Sequence, residues 1–160
     1  MRRATLLIPV VATLVVLTGG AAGASEVTRD SYAAQVEPIC KANTEANKKI
    51  LKGVRAKVKA GRLTAAARQF EAAAKALRKT EAQLAAVPEP PADAAKLGKW
   101  LGYVKTEADL FQATADKLAA NQKTAAQGMV VRLTHNANLA NNQVLVFEFT
   151  YCRFEPSKFT

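Results

Sequence analysis

Two cysteines, one histidine, a run of regularly spaced cations and a pair of asparagines are the residues of this 160-residue chain whose types and positions could do chemistry. Cys40 and Cys152 are an even count, and in an oxidising compartment an even count is most simply one disulfide. Zinc is the weaker alternative, because the chain has a single histidine and no C-x-x-C. A Cys40–Cys152 bridge would close a loop of more than 100 residues. The chain-entropy model gives such a loop about 4 to 5 kcal/mol as an upper figure.

The cations are the second feature. From Lys41 to Lys79 there are twelve basic residues against two acidic ones, whereas the remainder of the chain beyond residue 24 has nine against eleven. Within this stretch Lys41, Lys48, Lys52, Arg55, Lys59 and Arg62 recur at helical spacing. At about 100° per residue they form one stripe away from the apolar seam. Such a stripe focuses potential over a surface and would dock to an anionic envelope polymer or to lipid headgroups. The plain alternative is a solvated, solubilising face. Few aromatic residues interleave with the cations, which argues against nucleic acid as the partner.

The other candidates are thinner. His135 lies beside Asn136, Asn138, Asn141 and Asn142, and asparagine is a poor metal ligand, so an exposed or hydrogen-bonded histidine is expected there. Asn43 and Asn47 fall on or beside an apolar seam, where they would either fix helix register or line a polar pocket with groups of the fourth helix. Trp100 and Tyr103 belong to a packed core or rim, or to the edge of a ligand cleft. Carboxylates are scattered, no nucleophile has an evident partner base, and no Gly-rich phosphate loop or haem-attachment motif occurs. No enzyme, metal or cofactor is expected.

The elements that must position these residues begin after a leader. Met1-Arg2-Arg3, the apolar run Leu6 to Leu17, and the small residues ending in Ala22-Gly23-Ala24 follow the grammar of a secretory signal, with cleavage expected after Ala24. The run is too short for a transmembrane anchor and is interrupted by Pro9. The expected domain is residues 25–160, secreted or extracytoplasmic, and still basic at +8 once Arg2 and Arg3 are removed.

Four apolar stripes advance through that domain by alternate steps of three and four, the period of helix. They run from Tyr32 to Val54, Leu63 to Leu84, Leu97 to Leu118 and Ala126 to Phe147, with Thr28, Thr64, Asp93 and Thr124 as candidate caps. The first helix is expected to end near Gly61, and Val87-Pro88-Glu89-Pro90-Pro91 to separate the second from the third. Short connections make neighbours antiparallel, which predicts an all-α, up-down-up-down four-helix bundle. An even number of helices brings Cys152 back to the end where Cys40 begins. Pro38 demands a kink or a late helix start, and the β-branched run 144–151 predicts helix to about Phe147 followed by a short extended tail.

Tyr32 followed by Ile39-Cys40-Lys41-Ala42-Asn43, the central Pro88-Glu89-Pro90-Pro91 and the terminal Phe149-Thr150-Tyr151-Cys152-Arg153 together resemble a set of small secreted and lipoprotein-like helical proteins of actinobacteria. The resemblance spans nearly all of the exported chain. It implies a helical bundle closed by a disulfide between the two cysteines, and it carries over no catalytic residue. The chain departs from that pattern at Glu37-Pro38, where a plain helical pair is usual, and at Glu148, where a helix-ending glycine is common. The functional expectation is an exported binding or structural protein whose basic first hairpin docks to an anionic envelope component. The alternative is a carrier of a small apolar ligand between the helices.

Overall fold

The computed structural model describes residues 26–155, so the leader at 1–24 lies outside the described residues. The described chain is an antiparallel helical bundle in which helix α1 (Arg29–Ile50) is followed by a short α2 (Val54–Lys59), then α3 (Leu63–Ala85), α4 (Ala94–Ala119) and α5 (Lys123–Gln143). Single 3₁₀ turns occur at Pro91–Asp93 and Leu145–Phe147. With α1 and α2 following one another on one side, the architecture is the expected four-helix, up-down-up-down bundle.

The core follows the apolar stripes. In α3 the buried residues include Leu63, Ala67, Phe70, Ala74, Leu77 and Leu84, and in α4 Leu97, Val104, Ala108, Phe111, Ala115 and Leu118. The seam of α1 follows its expected line at Tyr32 and Val36, which are buried, and then moves by one residue: Cys40 and Asn47 are buried, while Ile39, Asn43 and Ala46 are only half-buried. Cys40 is drawn inward by its bond to Cys152, with Cα atoms 5.0 Å apart. This separation is ordinary for a disulfide.

Two of the four expected caps are corrected. Thr28 caps α1 in a reciprocal capping box with Ser31, as expected. Thr64 and Thr124 instead lie inside the first turns of α3 and α5, which begin at Leu63 and Lys123. The preceding loops are the reason. Gly61 (φ 72°) and Asn121 (φ 58°) take the left-handed conformation. Arg62 N–H donates to the Lys57 carbonyl and Gln122 N–H to the Lys117 carbonyl, each at 2.8 Å. These are the wide bonds of Schellman motifs, and they set the next helix start two residues beyond the left-handed residue. Asp93 holds the N-cap position of α4, as expected, but its side chain makes no cap bond. Its carboxylate accepts from Arg29 Nε at 2.6 Å and Nη2 at 2.9 Å. The pair is bidentate and ionised on both sides, and it occupies both carboxylate oxygens.

The ends of the first and last helices also differ from expectation. The first helix is broken before Gly61, because Gly53 (φ 72°) turns the chain between α1 and α2. Gln69 of α3 holds that turn, its Nε2 donating to the carbonyls of Ile50 and Lys52 at 2.5 and 3.1 Å. Helix runs unbroken through Pro38. The last helix stops at Gln143 rather than near Phe147, and the β-branched segment tightens into the Leu145–Phe147 turn. Phe147 and Phe149 are buried and stack at 5.1 Å between ring centroids, with Phe149 5.8 Å from Trp100. Burial of these rings is what ends the helix in favour of an irregular tail, which the disulfide fastens to α1.

Candidate functional site

All six stripe residues are exposed, but they do not form one unbroken helical row. Lys41 and Lys48 lie on α1, Lys52 in the turn, Arg55 and Lys59 on α2, and Arg62 in the loop before α3. The Lys41 ammonium sits over the Tyr151 ring, 5.3 Å from its centroid, tying this end of the stripe to the tail. Among the described residues the ion pairs are Arg29–Asp93, Arg78–Asp109 and Lys105–Asp109, and none takes a stripe residue.

Two grooves lie beside the stripe. In a regular bundle α1 and α5 would close against each other. Here α3 packs on α4, α4 on α5 and α1 on α3, while α1 and α5 scarcely touch. The tail fills part of the opening. Asn141 of α5 fixes it from one side, its Oδ1 accepting from Phe154 N–H at 2.8 Å and its Nδ2 donating to the Phe154 carbonyl at 2.9 Å. Glu37 of α1 fixes it from the other, accepting from Thr150 N–H at 2.6 Å and from Tyr151 N–H at 3.0 Å. What stays open is a groove of about 530 Å³ between α1 and the tail, and a second of about 470 Å³ between α2 and α5.

The first groove has an apolar floor of Leu77, Leu84, Trp100, Val104 and Phe111, with Lys48, Lys52, Arg153 and Glu155 among its rim residues. The second has Val54, Val58, Phe70, Leu118 and Val130 with Arg55, Lys59 and Lys123. The structure therefore brings Lys48, Lys52, Arg55 and Lys59 to groove edges, and leaves Lys41 and Arg62 outside this arrangement. Asn43 and Asn47 bond each other along α1, Nδ2 of Asn47 to Oδ1 of Asn43 at 3.2 Å, and both line the first groove. Groups from α3, α4 and the tail face them there, rather than groups of the last helix as expected for a polar pocket. Trp100 is both core and groove floor, and His135 is exposed.

One polar pair escaped the sequence reading. Glu107 of α4 is 1 % exposed, and its Oε2 accepts from Asn136 Nδ2 at 2.6 Å. Asn136 Nδ2 also donates to the Tyr103 carbonyl at 3.0 Å, and Glu107 Oε1 has no hydrogen-bond partner among the described residues. Burial pushes the Glu107 carboxyl up to about 7, and the Asn136 bond offsets only part of that rise. A signal existed: Glu107 is three residues after Val104 and four before Phe111, which is a seam position. By contrast, the Arg29 hydrogen bonds hold the Asp93 carboxyl below its ordinary range. Burial raises the Tyr32 hydroxyl to about 12.

Among the described residues no three His, Cys, Asp or Glu side chains gather as a metal site, and no helix is long and apolar enough to cross a membrane. Comparison of the chain with family models, with curated proteins and with solved structures finds no match.

Proposed function

We propose that this is an exported, non-enzymatic binding protein that attaches through its basic first hairpin to an anionic component of the cell envelope. The observation that carries this reading is the placement of Lys48, Lys52, Arg55 and Lys59 at the edges of two grooves with apolar floors. A merely solubilising face has no need of apolar surface behind its charges. The disulfide and the absence of a spanning helix among the described residues are compatible with an extracytoplasmic location, and the likeness to secreted actinobacterial bundles belongs to the same proposal.

Retention on isolated envelopes tests it. Reversing Lys48, Lys52, Arg55, Lys59 and Arg62 to Glu should abolish retention, and reversing Lys96, Lys99, Lys105, Lys117 and Arg132 should matter far less. Retention should also fall with salt, since exposed charges are screened beyond about 8 to 10 Å at 0.1 to 0.15 M ionic strength. Equal loss from both sets, or from neither, leaves the stripe a solvated face. The size of the first groove favours a second reading, carriage of a small apolar ligand, because several hundred Å³ is the range of small-molecule sites.

A further inference from the structure

The second groove is a shallow face rather than a slot. Its deepest residues, Phe70, Thr114 and Leu118, are 6 %, 1 % and 2 % exposed, so the helices beneath it are closed. What it offers to solvent is its rim. On α2 the half-buried Val54 and Val58 and the exposed Arg55 and Lys59 each stand one turn apart, in two parallel rows, one apolar and one cationic. Across the groove α5 presents the exposed Lys123 and Gln127 and the half-buried Val130. No residue of α2 is fully buried, and its six residues span about 9 Å at 1.5 Å per residue, short enough to lie flat on a surface.

Charge sorts the occupants that such a face could take. Arg55, Lys59 and Lys123 come from both walls, no acidic side chain lines this groove, and none of the three takes part in an ion pair among the described residues. The first groove is mixed by comparison, because Lys48, Lys52 and Arg153 share its rim with Glu155. A soluble phosphate polymer would use the cations and leave the valines facing water. A bilayer interface uses both: anionic headgroups meet the cations, and aliphatic side chains sink to the boundary between headgroups and acyl chains. We propose that the α2–α5 face docks on the surface of an anionic phospholipid bilayer, with Arg55, Lys59 and Lys123 among the lipid phosphates and Val54, Val58 and Val130 turned toward the acyl boundary. This rests on the docking reading above, commits its envelope component to lipid, and adds Lys123 of the last helix, which lies outside the first hairpin.

The oxidised protein is sedimented with vesicles of equal parts phosphatidylcholine and phosphatidylglycerol, and with vesicles of phosphatidylcholine alone. It should bind the first and not the second. A cation beside an anionic membrane is worth on the order of fivefold in partitioning, so Arg55→Gln, Lys59→Gln and Lys123→Gln together should weaken binding by roughly a hundredfold. Arg68→Gln, Lys75→Gln and Lys79→Gln remove the same charge from exposed positions of α3 and should cost far less. Val54→Ser with Val58→Ser should weaken binding several-fold at unchanged charge, which diffuse attraction does not explain. In bicelles of the same lipids, a nitroxide near the top of the acyl chain should broaden the amides of residues 54–59 and 123–130 first. That measurement uses the unaltered chain and decides alone should a variant unfold. No binding to the anionic vesicles, equal loss from both cation sets, indifference to the valine pair, or broadening centred elsewhere overturns the proposal. Shifts at the same amides that grow with protein concentration in the absence of lipid do so too, because a second copy is then the occupant. Envelope retention that depends on the five stripe residues, in a protein that no vesicle binds, leaves docking standing, assigns it to a polymer and removes only the lipid face. Vesicle binding through this face, with envelopes retaining the five-residue variant unchanged, does the reverse.

Discussion

Replacing Glu107 by Gln should make the protein more stable at neutral and alkaline pH, and the gain should vanish in acid. The buried carboxyl is raised from 4.5 to about 7, chiefly by desolvation. Each tenfold change in proton affinity is worth about 1.36 kcal/mol, so this rise corresponds to about 3 kcal/mol. The sign follows from proton linkage. Between these two values the folded state holds a proton that the unfolded chain has released, so stability is fully present below about pH 4.5 and is lost as pH rises through about 7. Gln has the same shape, can accept the Asn136 bond and does not titrate. Urea unfolding followed by circular dichroism, on both proteins with the disulfide intact, gives the difference in unfolding free energy at each pH. That difference should move in favour of the variant by about 3 kcal/mol between about pH 4 and pH 8, or roughly 10 °C in Tm. Asp93 and Asp109 are shifted downward by their cationic partners and so act with the opposite sign, but they are present in both proteins and cancel. A difference that stays flat across this range would refute the assignment of Glu107 as a buried, raised carboxyl.

Replacing both Cys40 and Cys152 by Ala should lower stability by up to about 4 to 5 kcal/mol, read as a fall of roughly 10 to 20 °C in Tm; an unchanged midpoint would mean that the tail is held by its other contacts. Glu148 has φ 51° in the left-handed region, where a side chain costs about 1 to 2 kcal/mol. Glu148→Gly should therefore raise stability by up to about 1 kcal/mol after the extra unfolded-state freedom of glycine is counted, whereas Glu148→Val should lower it. Gln69→Ala removes the bonds that hold the Ile50–Lys52 turn and should cost about 1 to 3 kcal/mol. Hydrogen exchange should then speed up at residues 50–59 before it does in α3 or α4.

The helices and the pairing of their ends were legible because both depend on local periodicity and on the parity of the topology. Leu63 to Leu84 and Leu97 to Leu118 mark faces that the fold buries, and Cys40 with Cys152 fixes which ends meet. What escaped are side chains whose roles are set by a partner far along the chain. Glu37 looks like a solvated helix residue until its carboxylate meets the backbone of Thr150 and Tyr151. Asp93 looks like a cap until Arg29 takes it. Glu107 breaks the apolar pattern, but the meaning of the break needs Asn136 of the next helix. The grooves were the least legible feature, since they arise because α1 and α5 fail to close. Glu37 and Glu148, both at unusual places in the sequence, find physical accounts: the first clamps the tail, and the second keeps a left-handed turn of the kind a glycine would make.

Amide chemical-shift mapping is the most direct test of the central claim that the basic first hairpin and the grooves behind it are the binding surface. With soluble fragments of an anionic envelope polymer, or a short-chain anionic phospholipid, added to the labelled, oxidised protein, the largest shifts should fall on residues 48–59 and on the groove residues beside them, such as Asn43 and Asn47. They should shrink as salt rises and in the variant carrying Glu at positions 48, 52, 55, 59 and 62. Shifts confined to the outer face of α5, around Arg132 and His135, or shifts that survive that charge reversal unchanged, would contradict it.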